Sequence, residues 1–133
     1  AEQIEVRIML ETEAARLAAG RRTEQDLKAM TSALDARAAA GERVSERIQH
    51  DEHFHHALVR ASGNSALIEL YDYFSHAVSQ TIEQTETDSD LPEPTQEDHE
   101  LLLAAIRRKD AAKAEALSRA LLTPSLKALT GED

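Results

Sequence analysis

The stretch that decides the fold runs from Glu42 to Leu67, ERVSERIQHDEHFHHALVRASGNSAL. With successive residues about 100° apart on a helix, Val44, Ile48, Asp51, His55, Leu58 and Ser62 fall in one narrow sector. That period belongs to a helix and not to a strand, so a helix is predicted from about Glu42 to Ser62. Gly63-Asn64 ends it, and Asn64 or Ser65 can cap a fourth helix running to about Gln84. The stripe carries a carboxylate and an imidazole, Asp51 and His55, on a face otherwise meant for the core. Burying a lone carboxylate is costly, so Asp51 needs a cationic partner: His55 one turn on, or a metal ion.

Outward from this stretch the chain keeps the same character. A first helix is expected from Glu2 to Ala19, stopping at Gly20, and a second from Thr23, whose hydroxyl can cap Gln25 or Asp26, to about Gly41. On the C-terminal side, TETDSDLPEP (Thr85 to Pro94) is acidic and rich in turn formers, and reads as one long mobile loop. A fifth helix begins at Thr95 with Asp98 completing an approximate capping box, and a sixth begins at Asp110 and is expected to kink or end at Pro124. The fold class is therefore all-α, an antiparallel bundle of about six helices forming one domain over residues 1–133.

Two further stripes carry polar groups. His99 shares its face with Leu102, Leu103 and Ile106, and Arg7 shares one with Ile4, Leu10, Ala14 and Ala18, with Glu11 one turn further along. Each has a structural alternative: an inward His is commonly a hydrogen-bonded core residue, and Arg7 with Glu11 can be a plain intrahelical pair. His50, His53 and His56 point away from the stripe, and His76 has no pattern around it. Tyr71, Tyr73 and Phe74 read as core and pocket wall.

Composition removes several classes of function. Fifteen Lys and Arg against 25 Asp and Glu give a net charge of −10, which repels phosphate backbones and anionic lipid surfaces, so this chain is not expected to grip DNA itself. Cysteine is absent, which excludes disulfides and thiol chemistry. No apolar run approaches the roughly 20 residues that span a bilayer, and a cytoplasmic protein without membrane contact is expected. The start, Ala1-Glu2-Gln3-Ile4, lacks the pattern of a secretion signal and reads as a domain edge.

Taken in order, these segments resemble the helical C-terminal effector-binding (FCD) domain of FadR-like regulators of the GntR family, over nearly the whole chain. The matching words are RIMLETEAARLAA (Arg7 to Ala19), then Asp51-x-x-Phe54-His55-x-x-Leu58 with Ala61-Ser62-Gly63-Asn64-x-x-Leu67, then His99-x-x-Leu102-Leu103-x-Ala105-Ile106-x-x-x-Asp110 followed by Ala114. The resemblance implies a metal site on Asp51, His55 and His99. It places the family's fourth ligand, a His, on Leu121, and no His follows His99. Zinc or nickel is thus expected with an incomplete ligand set, completed by water, effector or another side chain.

The implied function is sensing. A small organic acid is expected at Arg7, Asp51, His55 and His99, altering how an attached N-terminal winged-helix domain, which this chain lacks, sits on DNA, with the regulator acting as a homodimer. No enzymatic activity is expected. The rival from another class is a metal-dependent enzyme using the two-His, one-Asp set, weakened by the lack of a Cys and of a G-x-S-x-G elbow. A helical dimerisation module without a ligand is a third reading.

Overall fold

The computed structural model describes residues 2–76 and 94–130. Among them are six helices and no strand: α1 (Glu2–Arg21), α2 (Glu24–Ala40), α3 (Val44–Ala61), α4 (Ser65–Tyr73), α5 (Gln96–Arg107) and α6 (Ala111–Thr130). The all-α expectation holds, and no helix among the described residues is long and apolar enough to cross a membrane.

Local chemistry sets most of the boundaries. The Thr23 hydroxyl accepts from the Asp26 N–H at 3.1 Å while the Asp26 carboxylate accepts from the Thr23 N–H at 2.9 Å, and Thr95 and Asp98 repeat this reciprocal box at the start of α5. Asn64 caps α4 through the Leu67 N–H at 3.1 Å. Gly41 and Gly63, at φ of 54° and 64°, take the left-handed conformation that turns the chain after α2 and α3.

Three expected boundaries move. Gly20 does not stop α1, because the turn continues until the Arg22 N–H bonds the Ala18 carbonyl at 2.8 Å. A glycine inside a packed helix costs only about 1 kcal/mol, which burial of Ala18 and Ala19 on that turn offsets. Pro124 does not end α6, which runs on to Thr130; the proline removes one N–H without breaking the rest of the ladder. The fourth helix closes at Tyr73, with Phe74 as its cap, instead of near Gln84. Residues 77–93 lie outside the described residues, and with them all of the expected acidic loop except Pro94.

α1 is the central rod, packed on α3 and α6 and touching α4 and α5, while α2 lies on α3 and α5. Its buried face is Ile4, Ile8 and the fully enclosed Ala14, Ala15, Ala18 and Ala19, small side chains that let neighbouring helices approach closely. Facing it are Phe54, Leu58 and Val59 of α3, Leu102, Leu103 and Ile106 of α5, and Leu121 and Leu122 of α6. Val44 and Ile48 are only half-buried, so the core-facing part of the α3 stripe begins at Asp51.

Candidate functional site

The buried face of α3 delivers Asp51 and His55, one turn apart, into the same space as His99 of α5. One ligand atom from each of the three lies within 4.8 Å of the other two, and all three residues are at most 4% exposed. The convergence read from the stripes is thus present in the structure. His55 Nε2 is 3.5 Å from Asp51 Oδ2, and His99 Nε2 is 2.8 Å from Asp51 Oδ1.

The second nitrogen of each ring is held by an outer partner. His99 Nδ1 lies 2.7 Å from the Thr95 carbonyl, which can only accept, so the ring proton sits on Nδ1. In the neutral ring His99 Nε2 presents a lone pair toward a carboxylate oxygen, and this buried atom has no hydrogen-bond partner of good geometry. His55 Nδ1 is bound by Glu11 Oε1. Carbonyl and carboxylate partners behind the rings are the arrangement that orients imidazoles toward a metal ion. The donor set fits a divalent cation: two imidazole nitrogens and a carboxylate aimed at one another, with an orphaned lone pair that a cation would satisfy. Asp51, His55 and His99 could therefore hold a metal ion.

Four more polar side chains enclose this centre. Arg7 and Glu11 of α1 are both buried, with Arg7 Nε donating to Glu11 Oε2 at 2.7 Å and Arg7 Nη2 reaching within 3.1 Å of His55 Nε2. Their pairing is intrahelical, as the spacing allows, but it also extends across to α3. Tyr71 of α4 donates its hydroxyl to Glu11 Oε2 at 3.3 Å. Arg37 of α2 donates through Nε to Asp51 Oδ1 at 2.9 Å and through its other nitrogens to Gln96 Oε1 and the Pro94 carbonyl, each at 3.1 Å. The cationic partner expected for Asp51 thus includes a residue that sequence reasoning passed over. Arg37 sits on the buried stripe of α2 with Leu27, Met30, Ala33 and Leu34, so the test applied to Arg7 would have found it.

Electrostatics follow from this enclosure. Burial pushes the Asp51 carboxyl up, but the facing His99 and His55 rings, when they carry a second proton, outweigh it and hold it well below its ordinary 3.8. Burial likewise raises Glu11, and His55 and Arg7 overcome this to bring it down to about 2. Burial disfavours a charged His55, yet Glu11 and Asp51 lift the ring to about 9 against the opposing charge of Arg7. Burial, then the Glu11 charge, raises the Tyr71 hydroxyl well above its ordinary 10.0.

The remaining candidates divide. Tyr71 is fully buried in the network, Phe74 is half-buried, and Tyr73 is 82% exposed, which removes it from the expected wall because it projects from the outer side of α4. His53 and His76 are exposed, while His50 and His56 are half-buried outside the cluster, with His56 edge-on to Tyr71 at 5.2 Å between ring centres. Leu121 is 6% exposed within the apolar core and supplies no donor.

The family model of the FCD domain matches residues 2–123. Among solved structures the chain is similar to Streptococcus agalactiae GntR, with a TM-score of 0.76 and 23% identity over 92% of this chain and 56% of that one. It is also similar to E. coli McbR/YncC, with a TM-score of 0.79 and 23% identity over 98% of this chain and 67% of that one. The chain thus spans little more than half the length of the first. No curated protein matches by sequence.

Proposed function

Because the chain belongs to the FCD domain family, we propose that it is the ligand-sensing domain of a bacterial transcription regulator, taking a small organic acid with the help of a divalent metal. The observation that carries this reading is the pair of buried rings, each held from behind, converging on Asp51 with the His99 Nε2 lone pair unsatisfied. Asp51, His55 and His99 would hold zinc or nickel, a Lewis acid able to take one carboxylate oxygen, and Arg7 would offer its planar donor edge to the other. With three protein ligands the effector itself completes the coordination, so acid and metal support each other's binding.

Regulation then requires the acid to bind two arrangements of the bundle unequally. Through Arg7 and Glu11 that difference would act on α1, the rod against which α3, α4, α5 and α6 pack. DNA contact belongs to a winged-helix domain attached ahead of this one, since a charge of −10 opposes DNA binding here. The regulator acts in the cytoplasm as a homodimer and binds its effector without turning it over.

Elemental analysis and native mass spectrometry of the purified chain, followed by zinc titration of the parent and of His99→Ala, test this. Zinc bound by the parent and weakened by about 100-fold or more in the variant supports the site. Equal binding by both removes Asp51, His55 and His99 as the metal centre.

A further inference from the structure

His55 can offer a metal ion only one nitrogen. Nδ1 is committed to Glu11, so Nε2 is the atom that faces Asp51. An imidazole nitrogen has a single lone pair, which serves either a hydrogen bond or a coordinate bond. In the neutral ring that a metal ligand must be, the group already placed to take that lone pair is Arg7 Nη2, 3.1 Å away.

We propose that Arg7 competes with the divalent ion for His55, so that metal uptake requires Arg7 to turn its outer edge away and thereby frees that edge for the effector's carboxylate. This rests on the metal-assisted sensing proposed above and specifies its order of events. Arg7 keeps its Nε on Glu11 throughout, which pins the guanidinium beside the site while Nη2 exchanges partners.

Charge reinforces the competition. Among the described residues, the buried side chains with permanent or carboxylate charge are Arg7, Arg37, Glu11 and Asp51, and these four balance one another once His55 has given up its proton to become a ligand. A divalent ion adds two positive charges beside two guanidinium groups in a dry site, where that repulsion is poorly screened. An entering acid offsets the charge and gives Arg7 an acceptor in exchange for His55. Arg7 accordingly makes the metal conditional on the acid. A purely supporting role, in which Arg7 merely steadies Glu11 behind the ring, predicts the opposite effect of removing it.

The test measures zinc affinity, in the absence of any carboxylate buffer, by competition with a chromogenic chelator. The proteins compared are the parent, Arg7→Met, and the charge-balanced Arg7→Met/Glu11→Gln, which keeps the cluster neutral if the single variant folds poorly. At least about tenfold tighter zinc binding is expected in Arg7→Met from the loss of an adjacent positive charge, and tighter binding than the parent in the double variant from the loss of the competing donor alone. Unchanged or weaker binding overturns the competition while leaving the metal site in place, and an absence of zinc binding in all three overturns both. In the parent, zinc should shift the side-chain ¹⁵N resonances of Arg7; resonances that stay fixed as zinc saturates the protein also overturn it.

Discussion

His99 Nε2 lies 2.8 Å from Asp51 Oδ1, yet the two atoms share no hydrogen bond. With Nδ1 donating to the Thr95 carbonyl, a neutral ring offers Asp51 only a lone pair, and two acceptors in contact are tolerable only where positive charge lies close by. Arg37 supplies such charge from α2, donating to the same carboxylate oxygen.

Arg37→Ala should consequently be among the most destabilising single changes in the chain. It leaves the Asp51 charge buried without its guanidinium and removes the bonds to Gln96 and the Pro94 carbonyl that tie α2 to the start of α5. Losing one partner of a buried pair costs about 3–5 kcal/mol, to be read from urea unfolding of the metal-free protein. A loss below about 1 kcal/mol would mean that Asp51 is adequately served by the imidazoles alone.

The metal-free domain should be most stable between about pH 4.5 and 6.5. Glu11, lowered from 4.5 to about 2, contributes stability that is complete above 4.5 and disappears as pH falls toward 2. His55, raised from 6.5 to about 9, contributes stability that is complete below 6.5 and is lost as pH climbs through 9. Urea midpoints measured across this range with chelator present should form an arch. Glu11→Gln should flatten its acid side, and an unaltered acid limb in that variant would assign the loss to other carboxylates.

Leu121→His restores a donor at the position where the family resemblance places a fourth ligand. Zinc or nickel should bind more tightly to this variant, with less dependence on added acid, because the coordination no longer waits for the effector. Calorimetric titration of both proteins, with and without acetate, decides the matter. Identical affinities would show that Leu121 is not the missing ligand position.

How far the sequence anticipated this molecule depended on the range of the interactions involved. The boxes at Thr23 and Thr95 are complete within four residues and could be read directly. Asp51, His55 and His99 were legible because each interrupts an apolar stripe at the phase of its own helix, and the family resemblance linked stripes that periodicity alone leaves unconnected. The hub role of Glu11 was not legible. Its partners His55 and Tyr71 come from other helices, and an i, i+4 Arg-Glu spacing looks the same on a surface as in a core. Gly20 misled for a related reason, since it is a local breaker and the packing of Ala18 and Ala19 carried the helix through it.

The bond from Tyr71 to Glu11 also gives the protein an optical property. The chain has no tryptophan and two tyrosines, of which Tyr73 stands in water while Tyr71 is sealed against the carboxylate that also holds Arg7 and His55. An excited phenol readily passes its proton to a neighbouring carboxylate, so the ultraviolet emission of Tyr71 is governed by how firmly Glu11 is engaged elsewhere. When His55 or Arg7 changes partner, that emission should change too, and the fixed signal of Tyr73 serves as its baseline. The domain thus contains an intrinsic fluorophore at the proposed binding centre, through which occupancy should be measurable without a label.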